Sequence, residues 1–233
     1  MRIDTKILLG GLPVVLTLAL LSGCIGGQGA RDRNESRRPP GRMQSRPAPV
    51  PRAISDQQCI ADLSARNVQF TPLPDRYYGS GCTTLGTVRL VSLASDSSRM
   101  EVTNLGPVTC SMSEGFAGWA RFGVDRAARQ ILGSPVVKIE TFGSYNCRNV
   151  AGTNRRSGHS TANAIDVSGF VLADGRRVTV LGDWSSGTAD EREFLRVVHD
   201  SACKRFGTVL GPGYNSAHQN HFHLEATPGH FCR

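Results

Sequence analysis

Two short segments of the chain carry the residue types that metal-dependent chemistry requires. The first runs from Ser157 to Asp166 and contains His159, and the second, His218–His223, holds three of the six histidines. Imidazole and carboxylate groups suit zinc, and a catalytic zinc takes three protein ligands and leaves the fourth position to water. A histidine, an aspartate seven residues later and a His-x-His beginning 55 residues after that aspartate form a far more specific pattern than a lone histidine.

The second segment is predicted to lead into a strand at about His221–Ala226. Side chains on a strand alternate between its two faces, so His221 and His223 share one face. Phe222 and Leu224 then point toward the core. Two imidazoles on one face of a strand are a natural part of a metal site.

The first segment supplies the other groups. His159 is predicted to lie in a loop, and Asp166 near the start of a strand at Ala164–Leu172, which lets an imidazole and a carboxylate return to one point. The residues themselves predict a zinc site of His159, Asp166 and one of the final histidines. Such a metal lowers the pKa of a bound water to about 7 and polarises a scissile carbonyl, while a nearby base moves the proton.

The other elements follow from periodicity, capping residues and turn signals. Three helices are predicted: Ser55 to Arg66 with a Ser55/Gln58 capping box, about 114–132 ended by Gly133, and Asp190 (N-cap, with Glu193) to Phe206 ended by Gly207. Strands are predicted at Thr87–Leu93, Val136–Phe142 and Thr208–Leu210. Two further strands, Ala164–Leu172 and Arg177–Leu181, are predicted to form a hairpin. The pair Phe116/Trp119 is assigned to the core. Helices and hairpins without regular βαβ alternation predict an α+β fold with a small antiparallel sheet and flanking helices.

The first 24 residues have the pattern of a secretory signal. Arg2 and Lys6 precede an almost wholly apolar run, Ile7–Leu21, which ends at a small-residue boundary before Cys24. The boundary resembles the lipobox of bacterial lipoproteins, which implies that Cys24 is lipidated. The alternatives are an ordinary signal peptide or an uncleaved anchor with an incidental cysteine.

The next segment, 25–55, is rich in Gly, Arg, Pro and Ser and is predicted to be a disordered linker before a domain at 56–233. Seven arginines against Asp32 and Glu35 give the linker +5 of the chain's net charge of +8. The remainder, 56–233, carries only +2, so nucleic-acid binding is not expected. The linker either lies on anionic lipid or wall polymer or serves as a solvated tether.

The cysteine count agrees with export. Without Cys24 an even number remains, which predicts three disulfides in an oxidising compartment. These six residues are Cys59, Cys82, Cys110, Cys147, Cys203 and Cys232. Fifteen pairings are open, of which Cys203–Cys232 is favoured for one bridge. No Cys-x-x-Cys spacing indicates a cysteine zinc site.

The two histidine-bearing segments resemble the zinc-peptidase superfamily of lysostaphin, the D-Ala-D-Ala carboxypeptidases and the zinc domain of hedgehog proteins. The tract His218–His223 is especially similar to the penicillin-insensitive murein endopeptidases. Residues from about 57 to 233 resemble bacterial extensin-like C-terminal domain proteins, through Gly143–Arg148, Phe206–Gly213 and the closing Cys232-Arg233. The fold implied is a disulfide-stapled zinc-peptidase core.

The resemblance also implies roles for individual residues. Zinc would be held by His159, Asp166 and His223, with His221 beside it as a general base or transition-state donor. His218 corresponds to a further active-site histidine.

Three polar residues near the ligands receive supporting roles. Arg148 would hold a substrate carbonyl or carboxylate, the alternative being a structural ion pair beside Cys147. Ser157 would orient the ligand loop by hydrogen bonding. Glu225 shares the face of the metal histidines and either supports the ligands or is merely solvated.

One departure from the family pattern bears on the reaction. The carboxypeptidases place a glutamate three residues before the last zinc ligand, where this chain has Asn220, and an amide is not a useful base. The proton shuttle would then be histidine, as in the endopeptidases. His199, in the second helix, and His230, near the C-terminus, are not assigned to the site.

The expected function is therefore a zinc-dependent hydrolase of peptide bonds in peptidoglycan stem peptides or cross-links. Two alternatives remain: a non-catalytic zinc-containing module that binds or scaffolds the cell wall, and a metal-free structural lipoprotein. The expected location is the periplasm, with the lipid anchor in the outer membrane of a Gram-negative bacterium. The choice of membrane follows a resemblance to the lipoprotein sorting rule of these bacteria, because the residue after Cys24 is Ile25 and not Asp.

Overall fold

The computed structural model describes residues 54–233. The predicted signal segment 1–24, its Cys24 and the linker up to residue 53 lie outside the described residues. Within the described part, no helix is both long and apolar enough to cross a membrane.

Four α-helices are present in the described part: α1 Ile54–Ala65, α2 Cys110–Trp119, α3 Val180–Ser186 and α4 Ala189–Cys203. The helical path of α2 continues through π-helical segments at Ala120–Asp125 and Ala128–Leu132 and ends at Gly133, whose φ of 70° is left-handed. The predicted helix at 114–132 is therefore confirmed, although it begins earlier, after the N-cap Thr109. Two short 3-10 helices cover Gly158–Thr161 and Ser216–His218.

Twelve strands complete the described elements. They are β1 Gln69–Pro72, β2 Arg76–Gly79, β3 Cys82–Thr84, β4 Thr87–Ala94, β5 Arg99–Thr103, β6 Val108–Thr109, β7 Val136–Gly143, β8 Ala164–Leu172, β9 Arg177–Thr179, β10 Thr208–Leu210, β11 Phe222–Glu225 and β12 Phe231–Cys232. Ten of them form one sheet of order β1-β4-β5-β7-β8-β11-β10-β12, with β6 on β4 and β9 on β8, while β2 and β3 pair separately.

The α+β class is confirmed, and the sheet is larger and more mixed than the small antiparallel sheet expected. Most neighbours are antiparallel, but β5 pairs with β7 and β10 with β12 in parallel. A parallel pair needs a long crossover between its strands. The helical stretch from Cys110 to Leu132 lies between β5 and β7 in sequence and supplies that crossover.

The core contains the aromatic residues that helical spacing had assigned to it. Phe116 and Trp119 are fully buried, and Trp119 is in contact with Phe170 of β8 and Phe206. The Trp119 indole N–H donates to the carbonyl of Val198 in α4 at 3.1 Å, so the one polar atom of this side chain is satisfied.

Two boundaries differ from the sequence prediction because threonines begin helices there. The strand predicted at Arg177–Leu181 ends at Thr179, whose side chain accepts from the Gly182 N–H and caps α3. The predicted N-cap Asp190 lies inside α4, which is instead capped by Thr188 in a capping box with Glu191.

The end of the chain also differs. α4 ends at Cys203 rather than Phe206, and β11 is followed by one further short strand, β12. The strands at Val136–Gly143, Ala164–Leu172 and Thr208–Leu210 lie where they were predicted.

The three predicted disulfides are present. They are Cys59–Cys110, Cys82–Cys147 and Cys203–Cys232, the last being the pair favoured from sequence. Each joins segments that lie far apart in sequence, with separations of 51, 65 and 29 residues. The bridges therefore connect distant parts of the fold rather than closing local loops.

Candidate metal centre

Three side chains from three separate elements converge on one point. His159 Nε2 lies 3.2 Å from Asp166 Oδ1 and 3.1 Å from His223 Nδ1, and Asp166 Oδ1 lies 2.8 Å from His223 Nδ1. The three donor atoms lie within 4.8 Å of one another. His159 and His223 are buried and Asp166 is half-buried, so the cluster has limited access to water.

The sheet register places two of the three groups. In the antiparallel pair of β8 and β11, His223 lies directly opposite Asp166. On β11 the neighbours of His223, Phe222 and Leu224, are fully buried on the other face, as the alternation predicted. Cross-strand partners have Cβ atoms about 4.5–5.5 Å apart, so both side chains reach the same point.

The third group comes from the 3-10 helix at Gly158–Thr161. Ser157 caps this helix, accepting from the His159 N–H at 3.4 Å. The His159 carbonyl in turn accepts from the Asn146 N–H at 3.1 Å, which ties the helix to the segment after β7. Ser157 is thus placed to orient the loop, the role expected of it.

Each histidine of the cluster is held from behind by an acceptor. His159 Nδ1–H donates to the carbonyl of Ser144 at 3.0 Å. His223 Nε2 lies 3.2 Å from the Glu225 carboxylate, which also accepts from the Gly158 N–H at 3.0 Å. Metal-ligating histidines characteristically donate their outer N–H to a carbonyl or carboxylate. Glu225 is therefore a supporting residue by geometry rather than a solvated side chain.

These contacts fix which nitrogens face inward, and the donor set fits zinc. A carbonyl oxygen only accepts, so His159 carries its proton on Nδ1 and turns a lone pair on Nε2 toward the centre. His223, donating from Nε2 to Glu225, likewise turns Nδ1 inward. Two lone pairs 3.1 Å apart beside a carboxylate repel one another unless a cation or a shared proton lies between them.

The pKa shifts of the surrounding groups agree with a cation or shared proton between these nitrogens. Burial alone would raise the pKa of Asp166, but hydrogen bonds with His159 and His223 outweigh it and hold that pKa far below its usual range. Burial would lower the pKa of His223, but hydrogen bonds with Asp166 and Glu225 outweigh it and raise the pKa to about 9. Burial would likewise raise the pKa of Glu225, and its bond to His223 lowers it instead. The cluster is a carboxylate pocket that holds positive charge.

Two more histidines border the centre. His221 Nε2 lies 3.5 Å from Asp166 Oδ1, and His221 Nδ1 lies 2.8 Å from the side-chain oxygen of Asn220. The His218 ring lies 5.2 Å from the His221 ring between centroids, and His218 Nδ1 donates to Asn215 at 2.7 Å. Nδ1 of each imidazole therefore donates to an asparagine oxygen, so that Nε2 is the unprotonated nitrogen in the neutral ring.

Both of these rings are neutral at ordinary pH. Burial and the neighbouring His221 and His223 lower the pKa of His218 to about 4. Burial also lowers the pKa of His221, although the nearby Asp166 charge opposes that shift. A neutral imidazole with an unprotonated Nε2 is the form that accepts a proton.

A cleft of about 460 Å³ opens over the centre. Asp166, His221 and His223 line it together with the exposed side chains of Arg148 and Tyr214. In the described part of the chain Arg148 makes one side-chain hydrogen bond, to the carbonyl of Asn149 at 3.4 Å, and no ion pair. The structural ion pair considered for Arg148 is therefore not observed, and its guanidinium faces the cleft.

The sequence matches the family described as extensin-like protein C-terminus over residues 57–233. The chain belongs to this family. The resemblance to extensin-like proteins expected from sequence is thereby confirmed. Comparison with curated proteins and with solved structures found no match.

A second group of possible ligands among residues 54–233 is explained by a disulfide. His199, Cys203 and Cys232 bring potential ligand atoms together, but both sulfurs belong to one disulfide. His199 is packed against Trp184 and Phe222, and its Nε2–H donates to the Arg233 carbonyl at 3.2 Å. His230 is exposed, as expected.

Sequence reasoning named Ser157 and Glu225 as supporting residues but missed three others that orient the histidines of the extensin-like domain: Ser144, Asn215 and Asn220. Ser144 acts through its backbone carbonyl, which no side-chain pattern reveals. Asn215 and Asn220 lie close in sequence to the histidines that they bind, at positions three before His218 and one before His221. An asparagine beside a candidate catalytic histidine was the available signal.

Proposed function

We propose that this protein is a zinc-dependent hydrolase that cleaves peptide bonds in peptidoglycan, acting on cross-links between stem peptides. The observation that carries the proposal is the pair of inward-facing imidazole nitrogens beside Asp166. His159 and His223 are each fixed in the ligating orientation by a partner behind the ring, Ser144 and Glu225 respectively. Zinc bound there supplies Lewis-acid polarisation of a carbonyl and activation of water at neutral pH.

The protein's own residues then divide the remaining work. Neutral His221, with Nε2 toward the centre and Nδ1 bound to Asn220, accepts a proton and passes it to the leaving amine. His218, packed beside it, contributes a second imidazole at the same edge. Arg148 lines the cleft, has no carboxylate partner among residues 54–233, and holds a substrate carbonyl or carboxylate.

The choice of peptidoglycan cross-links rests on the resemblance to murein endopeptidases and on Asn220. An amide replaces the carboxylate base of the carboxypeptidases, and here it binds the histidine that takes over proton transfer. Three disulfides favour an oxidising compartment. Together with the signal and lipobox at Cys24, they support a periplasmic protein attached by lipid to the outer membrane.

The test is digestion of purified sacculi and cross-linked muropeptides by the purified protein, followed by mass spectrometry. The reaction is run with zinc, with chelator, and with His223→Ala and His221→Ala variants. We expect zinc-dependent loss of cross-linked dimers. His223→Ala should lose the metal and the activity, whereas His221→Ala should keep stoichiometric zinc and lose about 10²- to 10⁴-fold in rate. His230→Ala, an exposed histidine away from the centre, is the control.

The other outcomes separate the alternatives. Release of terminal alanine alone would make the protein a carboxypeptidase despite Asn220. Stoichiometric zinc without any cleavage would indicate a zinc-containing wall-binding or scaffolding module. Absence of zinc from the folded protein would indicate a structural lipoprotein.

A further inference from the structure

The metal centre lies in the middle of a row of paired residues that crosses four neighbouring strands of the sheet. Asp166 on β8 lies opposite His223 on β11, and His223 lies opposite Leu210 on β10. On the other side of Asp166 the neighbour is the end of β7, where Gly143 pairs with Asp166. A substrate at the centre therefore meets protein surface in two directions, toward β10 and toward β7.

The two sides differ in charge. The cleft over the centre, which extends to Thr208 and Leu210 of β10, is lined by charged side chains of both signs, Arg148 and Arg155 beside Asp166 and Glu225. The β7 side has a groove of about 390 Å³ whose lining contains no charged side chain. Its walls include Leu105, Pro107 and Phe142.

The β7-side groove adjoins the metal centre. The carbonyl of Ser144, a lining residue, accepts from His159, and its hydroxyl donates to the Pro107 carbonyl at 2.7 Å. The Phe142 ring meets the His221 ring edge-on, with centroids 5.9 Å apart. The same residues thus form the inner end of the groove and the support of the site.

Two aromatic side chains on this side, Phe142 and Tyr78, are exposed, and a third, Tyr145, is half-buried. Phe142 is 54% exposed, although its neighbour Thr141 is buried. Tyr145, at the groove, lies 5.3 Å from the ring of Tyr78 on β2, which is itself 52% exposed. Exposed apolar surface grouped beside a functional site marks a place where a ligand binds.

We propose that Phe142, Tyr145 and Tyr78, which we call the aromatic shelf, form a second substrate subsite that takes the peptide on the far side of the scissile bond. The occupant is a neutral peptide segment with small apolar side chains, since no charged side chain lines the groove. The inference rests on the proposed function and deepens it, because a cross-linked pair of stem peptides supplies a peptide to each side of the scissile bond.

The experiment compares binding of a cross-linked muropeptide dimer and its monomer by calorimetry to the chelator-treated protein, which cannot cleave the dimer during the titration, with zinc-loaded protein alongside to follow cleavage. We expect the dimer to bind wild type at least about tenfold more tightly than the monomer. Tyr145→Ala and Phe142→Ala should each remove most of that difference while leaving monomer affinity and zinc content unchanged. Tyr145→Ala is the more informative variant, because Phe142 contacts the His221 ring and its replacement also removes a neighbour of that histidine. Phe122→Ala is the matched control, since Phe122 is 46% exposed and lies away from the site against Arg121 and Arg126.

Equal binding of dimer and monomer by wild type, absence of binding, or an equal loss for both ligands in the shelf variants would overturn the inference. The hydrolase proposal is judged separately by cleavage of the same dimer. Dimer binding that depends on the aromatic shelf, without cleavage, would support the subsite and reject the hydrolase. Cleavage that neither shelf variant affects would support the hydrolase and reject the subsite.

Discussion

Hydrogen bonds at the outer ring nitrogens determine which nitrogen of each histidine in the cluster faces the centre. His159 and His223 give their outer protons to Ser144 and Glu225, so both inner nitrogens face Asp166. Without a metal, hydrogen bonds with the carboxylates of Asp166 and Glu225 stabilise protonated His223 and raise its pKa to about 9, although burial opposes that shift. A metal ion must displace that proton in order to bind.

The first prediction concerns this proton. A raised pKa means that metal-free His223 is protonated below about pH 9 and neutral above it. Ligation requires the neutral ring, so zinc affinity should rise about tenfold per pH unit between pH 7 and 8 and level off above about 9. Titration calorimetry in buffers of different ionisation enthalpy should show about one proton released per zinc at pH 7.5. A Glu225→Gln variant should release less, and pH-independent affinity over this range would contradict the assignment.

The second prediction concerns Asn220. Its side-chain oxygen lies 2.8 Å from His221 Nδ1 and holds the ring with Nε2 toward Asp166. Asn220→Ala should lower the hydrolytic rate by about 10- to 100-fold, a typical cost of losing an orienting partner, and leave zinc affinity unchanged.

The conservative variant distinguishes orientation from general damage. Asn220→Asp keeps an acceptor oxygen and should recover most of the rate. It should also shift the pH profile upward, because an added negative charge raises the pKa of His221. Equal loss in both variants, or loss of zinc from either, would show that Asn220 supports the fold or the metal instead.

At the scale of elements, the pairing of β8 with β11 brings the site together. The period-two pattern predicted that His223 faces away from the core, and the register then places it opposite Asp166. Sequence gives the face of each residue but not which strands become neighbours. Helix starts were harder, because Thr188 and Asp190 each have a glutamate three residues later and local sequence does not separate them.

The third prediction tests that helix start. The Thr188 side chain accepts from the Glu191 N–H at 3.3 Å, and Glu191 accepts from the Thr188 N–H at 2.8 Å. Thr188→Ala should destabilise the domain by about 1 kcal/mol and lower its Tm by about 2–4 °C. Asp190→Asn should cost less, about 0.5 kcal/mol, through the helix dipole alone. Thermal unfolding measures the Tm of both variants. A larger loss of stability in Asp190→Asn than in Thr188→Ala would show that Asp190 is the N-cap.

At the scale of the whole molecule, the sequence predicted the class of fold, the number of bridges and the positions of six of the twelve strands among residues 54–233. It did not predict the width of the sheet or its two parallel pairs. Those depend on contacts between β5 and β7 and between β10 and β12, which no local pattern records. The same reason kept two of the three disulfide pairings open, since spacing alone does not tell which distant segments meet.

The fourth prediction uses two bridges of nearly equal loop length. Cys59–Cys110 and Cys82–Cys147 span 51 and 65 residues, so each should contribute about 4 kcal/mol through the unfolded chain. Replacing either pair by serine should lower the Tm by roughly 10 °C. Their effects on the metal centre should differ, because Cys147 lies between Asn146, which donates to the His159 carbonyl, and Arg148 in the cleft.

We therefore expect Cys82→Ser/Cys147→Ser to weaken zinc binding at least about tenfold, as loss of a supporting contact does. Cys59→Ser/Cys110→Ser, which loosens α1 from the start of α2, should keep wild-type zinc affinity. Both are measured by competition with a chromogenic chelator, well below either Tm. Equal zinc affinity in the two variants would mean that the segment around Cys147 holds His159 without its bridge, and that the disulfides stabilise the fold but do not shape the site.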